Sequence, residues 1–161
     1  MVGTHDLAIR PTEDADAYAS LIYLVRDPFD AIWCELIQQY SGRDPTDIRF
    51  TPTYLAEKLR AWDRHIRYWT FHVQVMGERH AMVVRYEDLD QEAYQAMAAI
   101  AAIHTDQPAE CAAERQAKHP ASCPTMHGRE ELMARCENTR MIEDVMSEIA
   151  ESLLRLGYRR R

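Results

Sequence analysis

Ser20-Leu21-Ile22-Tyr23-Leu24-Val25-Arg26-Asp27-Pro28 is the stretch on which the fold class turns. Residues 20–25 form a short apolar run with β-branched and aromatic members, and Arg26-Asp27-Pro28 stops it abruptly, which predicts a buried strand. Asp27 can then cap a helix and Pro28 can occupy its first turn, while Ile32, Leu36, Ile37 and Tyr40 recur at helical spacing until Ser41-Gly42. Strand, sharp corner, helix is the order the residues dictate.

The same order returns further along. From Thr51-Pro52 to about Gly77, the residues Leu55, Leu59, Trp62, Ile66, Trp69 and Val73 predict one long helix with a single apolar stripe. Ala81-Met82-Val83-Val84 then reads as a second short strand, ended by Arg85-Tyr86-Glu87-Asp88, with an Ala-rich helix over residues 90–104. Pro108, Pro120 and Pro124 break the segment between Thr105 and Gly128 into a short helix and an irregular loop. Leu132, Ile142, Val145, Ile149, Leu153 and Leu156 predict a final helix that Gly157 ends. Strands alternating with long helices indicate an α/β protein with a partial parallel sheet flanked by long helices. Two strands are too few to stand alone, so a weak third strand is expected near Val2-Gly3-Thr4.

Composition sets the outer limits. At 161 residues the chain fits one domain, and 47% hydrophobic with 28% charged residues is ordinary for a soluble globular protein. A net charge of −7 has the wrong sign for gripping a nucleic-acid backbone, so no nucleic-acid partner is expected. A small anion is still admissible, because a few arginines and helix N-termini suffice to hold one. No window approaches the roughly 20 apolar residues of a membrane span, and the N-terminus lacks a secretory pattern, so the expected location is cytoplasmic. Cys34, Cys111, Cys123 and Cys136 are sparse for a disulfide scaffold and are expected as reduced thiols. Cys111, Cys123, His127 and Cys136 lack the close cysteine pair of a structural zinc site, so no metal is expected.

Ligands of open α/β sheets gather outside the carboxyl ends of the strands, where helix N-termini point. Arg26 stands at such an end, and a guanidinium beside a helix N-terminus suits a phosphate or sulfate; a salt bridge to Asp27 or Asp30 is the plainer alternative. The wording around it sharpens the choice. Tyr23-Leu24-Val25-Arg26-Asp27-Pro28-Phe29-Asp30-Ala31-Ile32-Trp33-Cys34 resembles the signature that binds the 3′-phosphate of the sulfate donor PAPS in sulfotransferases. Arg26 and Asp30 match that signature, whereas Cys34 stands where the family has a serine eight residues after the arginine, and a thiol is the weaker donor. Val83-Val84-Arg85-Tyr86-Glu87-Asp88-Leu89 is similar to the family's second strand and corner, which implies that Tyr86 lies near the adenine. A tyrosine packed at a strand end, with Asp88 or Asp90 capping the next helix, accounts for the same residues.

Thr4-His5 resembles the segment that carries the catalytic base, which implies that His5 takes the proton of the attacking acceptor; otherwise it is a solvated side chain near a terminus. Trp62, Trp69 and Leu156-Gly157-Tyr158 are similar to the sulfotransferase domain of WSC-domain-containing sulfotransferases. The resemblance implies a P-loop-NTPase-like sulfotransferase fold and transfer of a sulfuryl group from PAPS to a hydroxyl or amine on a small-molecule or carbohydrate acceptor. The family's Gly-rich phosphosulfate loop and its Arg-Lys-Gly loop have no match; Arg115, Lys118 and Arg129 sit in the latter's broad region and read as solvated charges. Residues 1–161 are accordingly expected to be the C-terminal portion of such a domain, truncated at the N-terminus. An inactive sulfotransferase-like fragment that binds a nucleotide or a protein is the other reading, and an exposed sheet edge predicts self-association into a homo-oligomer.

Overall fold

The structure, a computed structural model, describes residues 21–40, 44–78, 80–102 and 127–158. It is a mixed α/β protein, mostly helical, with a two-stranded parallel sheet among the described residues. The chain divides into two compact units, one formed by residues 1–25 and 66–122, the other by residues 26–65 and 123–161.

The first unit holds the sheet. Strand β1 (Leu21–Val25) pairs in parallel with β2 (Ala81–Arg85), in a register that opposes Leu21 to Ala81 and Val25 to Arg85. Alternation decides which side chains are covered: Tyr23 and Val25 are buried, while Leu24 between them is 47% exposed. Strand β1 is therefore covered on one face, and the expectation of a fully buried strand is corrected. Ala81 and Val84 are the buried positions of β2. The third strand expected at Val2-Gly3-Thr4 lies outside the described residues.

Two helices supply the rest of that unit. Asp90 caps α3 (Gln91–Ala102) by accepting the Ala93 N–H at 2.8 Å, and this helix packs on both strands. The second half of α2 (Pro52–Met76) contributes Ile66, which is buried, and Trp69, whose ring stacks on Tyr23 at 6.2 Å. Beyond Ile66 the apolar stripe loosens. Thr70 is buried, with its hydroxyl donating to the Ile66 carbonyl at 2.7 Å, and Phe71 and Val75 are exposed.

The second unit is helical. Asp27 caps α1 (Pro28–Gln39), accepting from the amides of Phe29 at 2.9 Å and Asp30 at 3.3 Å, with Pro28 in the first turn. Phe29, Ile32, Trp33 and Leu36 form its buried face. Thr51 starts α2 by accepting the Tyr54 N–H at 3.1 Å, and Leu55, Leu59 and Trp62 follow at helical spacing, each buried.

Where one final helix is expected, the chain forms three: α4 (Gly128–Arg135), α5 (Thr139–Glu148) and α6 (Ala150–Arg155). Cys136 leaves helical geometry, and Asn138 restarts the helix by accepting the Met141 N–H at 3.2 Å. The bonds from Ile149 N–H to the Val145 carbonyl and from Leu153 N–H to the Ile149 carbonyl keep α5 and α6 nearly continuous. Gly157 does end the run. Its φ of 76° lets Tyr158 N–H reach the Leu153 carbonyl and its own N–H reach that of Leu154, the paired bonds of a Schellman stop. No helix among the described residues is long and apolar enough to cross a membrane.

Candidate functional site

The corner after β1 is fixed from three sides. Asp27 holds the first amides of α1, Trp62 donates its indole N–H to the Arg26 carbonyl at 3.0 Å, and Trp62 is itself buried with Tyr158 edge-on at 6.3 Å. Asp30, nearly buried, accepts the Gly128 N–H at 2.9 Å and so ties the start of α4 to the first turn of α1. A buried bond to a charged acceptor contributes about 1.5–3 kcal/mol, enough to make this contact a determinant of how α4 is seated. Gly128 permits it: a Cβ there would lie 2.7 Å from both the Asp30 Cα and the Phe29 carbonyl oxygen.

Arg26 and Cys34 meet. The half-buried Arg26 runs along α1 and its Nη1 donates to Cys34 Sγ at 3.1 Å. Seven residues of helix span roughly 10 Å, so an extended arginine starting just outside the N-cap reaches the second turn. The guanidinium thus lies beside the helix, and the two amides at the helix mouth are taken by Asp27.

Cys34 departs from expectation in its chemical state. It is disulfide-bonded, while Cys136 is free and buried. Spacing along the chain does not report distance in the fold, which is why sparse cysteines were a poor guide to oxidation. A disulfide sulfur has no S–H, so it accepts from Arg26 and donates to nothing.

Tyr86 opens a short 3₁₀ turn, Tyr86–Asp88, in the other unit and is 43% exposed. Asp88 does not cap α3. It binds the Arg85 guanidinium through both oxygens, at 2.5 and 2.6 Å, and that bond holds its carboxyl below the usual aspartate range. Capping falls to Asp90. His5 lies outside the described residues, as do Arg115 and Lys118.

Other titratable groups answer to burial and pairing. Burial pushes the Tyr23 phenol well up and the His65 imidazole down from its ordinary 6.5. His72 packs against Tyr68, ring centroids 4.3 Å apart, as side-chain stacking on a helix surface. Glu35 accepts from Lys58 at 2.5 Å and Gln39 at 2.9 Å, and burial together with Glu35 raises Tyr54. Among the described residues no cluster of three His, Cys, Asp or Glu side chains could hold a metal ion.

Arg129, expected as a solvated charge, also has a place in the packing. It is half-buried, its guanidinium 5.4 Å from the centre of the Phe29 ring, on the wall of a cavity. Only the tertiary packing of α4 on α1 brings it there, and no local pattern announces it. No protein-family model, no curated protein and no solved structure matches the chain.

Proposed function

We propose that the chain is a sulfotransferase-type domain of P-loop-NTPase-like fold, whose Arg26 takes the 3′-phosphate of PAPS and whose Tyr86 lies against the adenine. The observation that carries this reading is the contact between Arg26 and Cys34, the two positions that the phosphate signature pairs. The reading also draws support from strand order, since both motif corners follow the carboxyl end of a strand in one parallel pair.

On this reading an acceptor hydroxyl or amine attacks the sulfur of PAPS and forms a new bond to it. The bond from sulfur to the 5′-phosphate oxygen breaks, PAP leaves with the electron pair, and His5 takes the acceptor's proton. The acceptor is a small molecule or a carbohydrate. A second reading, an inactive module that binds the nucleotide or a protein, is favoured by one observation: oxidised Cys34 offers no donor to a phosphate.

Calorimetric titration with PAP, with and without a reductant, separates the outcomes. Binding that is lost in Arg26→Ala, partly kept in Arg26→Lys and tightened by reduction supports the nucleotide site. Sulfuryl transfer from PAPS that disappears in a His5→Ala variant supports the enzyme, and PAP binding without transfer supports the module. Absence of PAP binding in both redox states overturns both nucleotide readings.

A further inference from the structure

A cavity of about 300 Å³ opens in the helical unit, walled by Phe29, Met133, Ile142 and Met146, with Arg129 and Glu143 contributing its charged groups. That volume is at the lower end of small-ligand sites. Phe29 and Ile142 are fully covered and Met146 nearly so, which makes the walls firm, and the two thioethers can adjust to an aliphatic shape.

The two charges set what the cavity can take. Among the described residues the Arg129 guanidinium has a ring contact with Phe29 and no ion pair or hydrogen bond. Its forked donors, held over the ring, suit a planar carboxylate. Glu143 lines the same cavity with its carboxylate in no ion pair among the described residues, Arg129 included. The Ser147 hydroxyl does not serve it, since it donates to the Glu143 backbone carbonyl at 3.1 Å. A dianion would be repelled by Glu143, and a cation by Arg129. An occupant that satisfies both needs one charge of each sign on an apolar body.

We propose that this cavity binds a small zwitterion with an apolar side chain, an aliphatic or thioether amino acid, with the carboxylate on Arg129, the ammonium on Glu143 and the side chain against Met133, Ile142 and Met146. The proposal is independent of the PAPS reading and uses neither Arg26 nor any nucleotide.

The test is a titration of the full chain, labelled at its methionine methyls, with L-leucine, with 4-methylpentanoate, which lacks the ammonium, and with 3-methylbutylamine, which lacks the carboxylate. Met133→Leu and Met146→Leu assign the two signals. Saturable shifts of both methyls by L-leucine are expected, with each truncated analogue weaker by about tenfold. Arg129→Met, which keeps the apolar stem over Phe29, should remove the advantage of leucine over the amine. Glu143→Gln, on an exposed position, should remove its advantage over the acid. Equal affinity for all three compounds would reduce the site to an apolar pocket and overturn the proposal, as would no saturation by about 20 mM leucine.

Discussion

Replacing Gly128 by alanine loads the contact that seats α4 on α1. The new Cβ would stand 2.6 Å from Asp30 Oδ1, 2.7 Å from Asp30 Cα and 2.7 Å from the Phe29 carbonyl oxygen. Two of those atoms are backbone, so no rotamer change relieves the overlap. Overpacking of this kind costs about 1–3 kcal/mol. If α4 retreats instead, the buried bond from Gly128 N–H to Asp30 lengthens, and about 1.5–3 kcal/mol is at stake there. By either route the loss is about 1–3 kcal/mol, a substantial part of the 5–15 kcal/mol that separates folded from unfolded chains. For a chain of this size it lowers Tm by roughly 2–12 °C, at 2–4 °C for each kcal/mol. Thermal and urea denaturation of the variant measure it directly. Asp30→Asn keeps an oxygen acceptor and should cost less than Gly128→Ala, while Asp30→Ala in the Gly128→Ala background should lose less than the two single effects added together. A Gly128→Ala chain within about 0.5 kcal/mol of the parent would refute the close approach and the seating built on it.

Trp62→Phe keeps an aromatic ring but deletes the donor to the Arg26 carbonyl and vacates buried volume, and should lower stability by about 1–3 kcal/mol in urea denaturation. Asp27→Ala removes the cap of α1, with an expected loss of about 1 kcal/mol in the same measurement. Gly157→Ala forces a side chain onto a φ of 76°, costing about 1 kcal/mol and detectable as a fall in Tm. His65 titrates below 6.5 in the folded chain, so between that lowered value and 6.5 the unfolded chain binds more protons. Its contribution is present above 6.5 and lost as pH falls toward the folded value; melts across that window should show a shallower pH slope in His65→Gln than in the parent.

Much of the architecture was written in local pattern. The run at Leu21–Val25, the stop at Asp27-Pro28 and the 55, 59, 62, 66 spacing each act within a few residues, and the elements they predict are present with ends close to those expected. The split of the last helix escaped because Leu132, Ile142, Val145 and Ile149 are all buried on both sides of the break, so the apolar period masks it. Asn138 was the available signal, a capping residue in mid-run. At the candidate site, the pairing of Arg26 with Cys34 was legible through the resemblance to the phosphate signature, whose two positions lie on one corner and helix. The oxidation of Cys34, the indole bond from Trp62 and the approach of Gly128 to Asp30 were not, since each joins segments that only the finished fold brings together. Arg129 belongs with them: its cavity is assembled from α1, α4 and α5.

The register that opposes Leu21 to Ala81 sets a timetable for biosynthesis. Sixty residues separate the two hydrogen-bonding partners, and a ribosome adding about 5–20 residues each second delivers the later one roughly 3–12 s after the earlier. In the later part of that interval Tyr23 and Val25 stand outside the ribosome without the strand that will pair beside them, while α1 can already coil. Nascent chains stalled shortly before residue 81 should therefore recruit holding chaperones through the Leu21–Val25 segment, and those stalled well beyond residue 102 should not.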